Sequence, residues 1–145
     1  MNLFMRFGAV ANISGGESSP EINGTVRFYR MGDGTVIAAE IKGLPKEGSF
    51  FGFHIHEGGD CGGDSFGNTG SHYNPSGAIH PLHAGDLPPL LNVGGEAFLA
   101  FKTDRFTVDE IIGRTVVIHS NPDDFISQPA GGAGEKIACG VIIRH

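Results

Sequence analysis

Positive charge is scarce in this chain of 145 residues: its 10 lysines and arginines all stand alone, and the net charge is −6. A phosphate-binding surface needs clustered positive charge, so nucleic acid is not an expected partner. Long apolar runs are missing too. Nothing approaches the ~18 apolar residues of a membrane-crossing helix, so no membrane span is expected. The apolar start Met1–Met5 is cut by Arg6 before a signal-peptide core could form. That pattern fits a chain that stays inside the cell or has lost a leader, and it leaves the compartment open. Only two cysteines occur, Cys61 and Cys139. They could form one disulfide, remain two buried thiols, or act as ligands. Repeats and linkers are absent, so residues 1–145 read as a single domain. Helical patterning is nearly absent as well, with one weak signal at Val108–Ile112.

Glycine is what the chain has in excess, with 24 residues and no three-residue period, which excludes collagen. With 39 % hydrophobic residues spread along its length, the chain is not generally disordered either. Short β-type segments recur between glycine and proline turns. They fall at Phe7–Ile13, Thr25–Tyr29, Thr35–Ile41, Phe51–Glu57, Leu90–Val93, Glu96–Phe101, Thr115–Ser120 and Cys139–Ile143. Seven or eight such strands predict an all-β domain, an antiparallel sandwich or barrel. Two segments break the rhythm: Gly58–Asp86 and Asn121–Glu135 exceed the ~12–15 residues of ordinary connections, and loops of that length are usually functional or disordered.

The unusual residues gather in and beside those loops. In Phe51-Gly52-Phe53-His54-Ile55-His56, strict alternation puts Phe51, Phe53 and Ile55 on one face of a strand and His54 and His56 on the other. Their backbones stand roughly 6–7 Å apart, a span one metal ion can bridge, although such a pair alone also fits a solvent-facing surface. The first loop adds His72, His80, His83 and Asp86. Three histidines and a carboxylate make a four-coordinate set suited to zinc, and the nitrogen donors suit copper as well. Metal binding would also compensate the cost of ordering so glycine-rich a loop. His119 ends the apolar run Val116-Val117-Ile118 and can point into the same region from a rigid strand. His145, at the chain end, is expected to stand apart.

Five stretches in register carry a family resemblance. They are Gly52-Phe53-His54-Ile55-His56-Glu57, His72-Tyr73-Asn74-Pro75, His83-Ala84-Gly85-Asp86, Gly113-Arg114-Thr115-Val116-Val117-Ile118-His119 and Ala138-Cys139-Gly140-Val141-Ile142. Together, from about residue 8 to 143, the chain resembles the copper/zinc superoxide dismutases, with the short loops of bacterial members. The resemblance implies an eight-stranded Greek-key β-barrel with two long functional loops. It implies copper ligands His54, His56, His72 and His119, zinc ligands His72, His80, His83 and Asp86, and a His72 ring shared by both metals. Asp123 matches the family's carboxylate that links a copper-side and a zinc-side histidine. Cys61 and Cys139 match its intrasubunit disulfide.

The implied activity is disproportionation of superoxide to dioxygen and hydrogen peroxide, with His72 handling a proton. The alternative is a copper- and zinc-binding module that buffers or delivers metal without turnover. A third possibility is a catalytically dead barrel used for protein contacts. Family members occur as monomers and as different dimers, so a homodimer is possible. One departure stands out: where relatives carry arginine three residues before the second cysteine, this chain has Lys136. That lysine would attract superoxide beside copper, against the overall negative charge. The second loop is also short and lacks the charged cluster credited with guiding substrate in animal members.

Overall fold

The computed structural model describes residues 5–145, so the apolar start Met1–Phe4 lies outside the described residues. Nine strands, a short 3₁₀ helix (Asp64–Thr69) and one short α-helix are found among them: β1 (Met5–Gly15), β2 (Asn23–Met31), β3 (Gly34–Lys42), β4 (Phe50–Phe51), β5 (Phe53–His56), β6 (Leu90–Leu91), β7 (Ala97–Thr103), α1 (Val108–Ile111), β8 (Thr115–His119) and β9 (Lys136–Arg144). Seven strands form one antiparallel sheet in the order β5-β8-β9-β1-β2-β3-β7, and β4 pairs with β6.

Gly52 joins β4 to β5. It donates to the Asn121 carbonyl at 2.9 Å and accepts from the His119 amide at 2.8 Å, so β4 and β5 run beside β8 as one interrupted strand. β6 pairs with β4 and turns through the Val93–Glu96 bridge into β7, the far edge of the sheet. The sheet thereby curls back on itself. With β4 and β5 joined, it is the expected eight-stranded antiparallel barrel, with Greek-key crossovers from β3 to β4 and from β7 to β8.

Alternation along the strands makes the core, as the two-residue period requires. Ala9, Ala11 and Ile13 of β1, Val26 and Phe28 of β2, and Ile37, Ala39 and Ile41 of β3 all point inward and are buried. Every residue of β5 and β8 is buried, on both faces. Ordinary strands on a barrel wall have one wet face. Here the two long loops cover the outer face, which brings the histidines into the interior.

Three expected boundaries shift for identifiable reasons. The strand expected at Phe51–Glu57 is broken at Gly52, where a Cβ would come within 2.7 Å of the Ala133 side chain in the second loop. The strand expected at Leu90–Val93 shrinks to two residues. Pro88 and Pro89 precede it and cannot donate to a ladder. The last strand starts at Lys136 rather than Cys139, and its register sets Lys136 opposite His119 across a bulge. The weak helical signal becomes α1, started by a Thr107–Glu110 capping box.

Candidate metal centre

Four imidazoles converge on the outer side of β5 and β8. His54 and His56 come from β5, His119 from the end of β8, and His72 from the first loop through an isolated bridge to His56. One donor atom from each lies within 4.8 Å of the others, and all four residues are buried.

The backbone decides which nitrogen faces inward. His56 Nδ1–H donates to the Gly70 carbonyl at 2.9 Å, and His119 Nδ1–H reaches the Gly134 carbonyl at 3.4 Å. An N–H fixed at Nδ1 leaves a bare lone pair at Nε2 in a neutral ring. Yet His56 Nε2 and His119 Nε2 stand only 3.1 Å apart. That contact is therefore two facing lone pairs and no hydrogen bond, an arrangement that a cation between them would relieve. His54 Nδ1 and His72 Nε2 are likewise buried without a partner among the described residues. Burial, followed by the neighbouring His119 charge, lowers the His56 pKa; burial and the nearby His54 push His119 down to about 3. Both rings are neutral at pH 7, the form in which imidazole binds metal.

A second donor set shares the His72 ring. Its Nδ1 lies 2.8 Å from Asp86 Oδ1 and 3.3 Å from His83 Nδ1. His80 Nδ1 is 3.1 Å from Asp86 Oδ2, too poorly aligned for a hydrogen bond, so that nitrogen too is buried without a partner. By distance alone the tight group is His54, His72, His80 and Asp86. His54 Nε2 is bonded to Asp123 and its Nδ1 already belongs to the first set, whereas His83 Nδ1 lies 3.1 Å from Asp86 Oδ2. His83 is the better fourth donor.

Asp123 ties the two sets together. Its carboxylate accepts from His54 Nε2 at 2.7 Å and His80 Nε2 at 2.8 Å. Burial works to raise its pKa, but these two bonds and the Phe125 amide outweigh burial and hold it well below the usual carboxylate range. An ionised Asp123 fixes N–H at both Nε2 atoms, which turns both Nδ1 lone pairs toward the donor sets. The residues present thus fit two metals, copper in the all-nitrogen set and zinc in the three-nitrogen, one-oxygen set.

The family model for copper/zinc superoxide dismutase (SODC) matches residues 22–142. The chain belongs to that family. It is similar to superoxide dismutase [Cu-Zn] 2 of Aquifex aeolicus, 37 % identical over an alignment that covers 84 % of this chain and 80 % of the relative. Among solved structures it is similar to a double mutant of a SOD-like protein from Bacillus subtilis (TM-score 0.86, 28 % identity, 94 % of this chain and 98 % of that one). It is also similar to the clock protein EA4 (TM-score 0.80, 32 % identity, 93 % and 92 %). Proteins with this barrel thus carry differently described roles, so the fold alone does not set the activity.

Copper/zinc superoxide dismutases are oxidoreductases of the Greek-key barrel type, and this member has the disulfide that goes with it. Cys61 and Cys139 are bonded, with Cα atoms 5.9 Å apart, and pin the first loop to β9. Lys136, at the start of β9, sends its ammonium to Thr69 Oγ1 at 2.8 Å and to the Gly70 carbonyl at 2.9 Å, the same carbonyl that accepts from His56 of the all-nitrogen set. Burial lowers its pKa. His145 stands apart, packed against Phe7 with ring centroids 4.1 Å apart and the ring planes tilted by 30°.

Two residues that sequence reading missed support the site. Gln128 clamps the backbone of His80, accepting from its amide at 2.9 Å and donating to its carbonyl at 2.7 Å. Gly131 has φ +71°, and a Cβ there would meet Asp123 Oδ1 at 2.1 Å and His80 Nε2 at 2.5 Å. Only glycine fits so close to that carboxylate. The glycine-rich end of the second loop was the available signal, since a run of glycines can mark a close approach as well as flexibility.

Two outcomes follow from this geometry. Opening the Cys61–Cys139 bridge, by reduction or by Cys61→Ser, is expected to remove up to about 4–5 kcal/mol of stability on the loop-entropy model. It should also weaken zinc binding, because the freed loop carries His72, His80 and His83. Zinc affinity equal to that of the oxidised protein would refute the coupling. In metal-free protein, the histidines held neutral should make stability fall with acid. The unfolded chain takes up protons below about pH 6.5 while folded His56 and His119 do not. The loss should grow down to about pH 3, where His119 protonates in the folded state. A urea midpoint that stays constant from pH 7 to pH 4 would contradict it.

Proposed function

We propose that the chain is a superoxide dismutase: 2 O₂⁻ + 2 H⁺ → O₂ + H₂O₂. The observation that carries this reading is the converging set of buried imidazole nitrogens, with the His72 ring shared by a second donor set. His54, His56, His72 and His119 would hold copper; His72, His80, His83 and Asp86 would hold zinc. Copper, when bound, supplies two accessible oxidation states, so that one superoxide can lose an electron and the next gain one; zinc has no such pair.

The protein's own groups do the rest. His72 Nε2, buried without a protein partner, is the atom that holds a proton and passes it to the product. Asp86, 2.8 Å from Nδ1, keeps that ring in place. Asp123 orients His54 and His80, and Lys136 draws the substrate anion to the copper side. Metal analysis of protein purified without added metal is expected to find both copper and zinc near one per chain. A chain that holds neither ends the reading, and one that holds copper without turnover supports the metal-delivery alternative.

Lys136→Arg should keep or raise kcat/KM, because the charge stays and a planar donor fork replaces a point charge. Lys136→Glu should lower it by roughly ten-fold or more, within the range that electrostatic steering supplies. Metal content should not change in either. Equal rates and equal salt slopes for the three proteins at matched copper occupancy would remove Lys136 from substrate guidance.

A further inference from the structure

A lysine is a poor replacement for arginine where a fixed charge is needed, because its ammonium rides on a flexible four-carbon stem. The surroundings of Lys136 answer this. No carboxylate forms an ion pair with it among the described residues. Its two partners are the Thr69 hydroxyl and the Gly70 carbonyl. Thr69 is fully buried, at 0 % exposure, although it is polar; it ends a short 3₁₀ helix, Asp64–Thr69, within the first loop. Its hydroxyl works in both directions: the O–H donates to the Phe66 carbonyl at 2.8 Å, and one lone pair of the oxygen accepts from Lys136. The Gly70 carbonyl takes both the Lys136 ammonium and His56 Nδ1–H. Consecutive residues therefore hold the charge and set the tautomer of a copper-side histidine. The Cys61–Cys139 bridge anchors the same loop to β9, the strand that bears Lys136.

We propose that Thr69 is the positioning residue for Lys136: its buried hydroxyl, with the Gly70 carbonyl, turns a mobile lysine into a fixed positive charge beside His56 and His119. The inference rests on the superoxide dismutase reading for its purpose, but not for its geometry. Thr69→Val keeps shape and removes the acceptor, leaving the ammonium one fixed partner. Thr69→Ser keeps the acceptor, and Thr69→Ala serves if the valine variant does not fold.

The test is a double-mutant cycle of Thr69→Val with Lys136→Met at matched copper occupancy. Thr69→Val alone should lower kcat/KM by roughly 3- to 10-fold, within what steering can supply, and flatten its dependence on ionic strength. It should have no further effect once Lys136 is methionine, and Thr69→Ser should restore the wild-type rate. Azide binding to the Cu(II) protein, followed by its absorption spectrum, should weaken in the same pattern. An equal loss in both Lys136 backgrounds would show a merely structural threonine and overturn the proposal, as would no loss in either. The geometry is tested without turnover. In metal-free protein the ¹H–¹⁵N signal of the Lys136 ammonium should be sharp with Thr69 or serine and broadened by solvent exchange with valine or alanine. A sharp signal in all four proteins would overturn the clamp. Absence of superoxide turnover in every protein would instead strike the functional reading and leave the ammonium signal to decide the clamp.

Discussion

His72→Ala is expected to leave a folded barrel that binds copper weakly, has lost its zinc geometry and turns over superoxide at least ~100-fold more slowly. The size follows from position. Changing a group that merely orients a metal ligand typically costs 10–100-fold in affinity or activity, and His72 faces both donor sets at once. Its Nδ1 sits 2.8 Å from Asp86, while its buried Nε2 is turned toward His54, His56 and His119. Folding should survive, because His72 comes from a loop and the barrel core lies on the other side of β5. The backbone around it is held independently by the Tyr73 amide on Ile55 and by the Gly85 amide on Tyr73. Far-UV circular dichroism, metal content and turnover together make the check. Copper spectra and activity like those of the parent would remove His72 from the shared position.

Asp123→Ala should weaken both metals together, by ~10–100-fold in affinity, although Asp123 belongs to neither donor set. Its carboxylate is the only acceptor the structure offers to both His54 Nε2 and His80 Nε2 among the described residues. Without it, each ring is free to carry its proton at Nδ1, the atom that would have to bind metal. Two buried N–H groups would also be left unsatisfied, at a typical cost of about 1–3 kcal/mol each. Isothermal titration with zinc, and separately with copper, should show both affinities reduced. Loss at one metal alone would mean that the carboxylate serves a single ring.

Much of this was legible in the sequence because it is written in local patterns. The alternation through Phe53-His54-Ile55-His56 set inward phenylalanine and isoleucine against outward histidines, and turn glycines marked the strand ends. What the alternation could not show was that the outward face would itself be buried. That depends on loops dozens of residues away folding over β5 and β8. Asp123 read alone is a turn residue; the family resemblance marks it, and its bonds to His54 and His80 show what it touches. Gln128 and Gly131 carried no pattern of their own. A glutamine that clamps a backbone and a glycine that makes room for a carboxylate become visible only once His80 is placed beside the second loop. Lys136 stands out in the sequence as a departure, but the hydroxyl bonded to it comes from a buried threonine no spacing rule would select.

The central claim is that copper held by four histidines turns over superoxide in this chain. The most direct measurement loads metal-free protein with one zinc per chain, titrates copper, and follows superoxide decay by stopped flow at each step. The rate should be nil with zinc alone, rise in proportion to bound copper, and stop rising at one copper per chain. A rate that stays flat while copper binds tightly at one per chain would contradict the account.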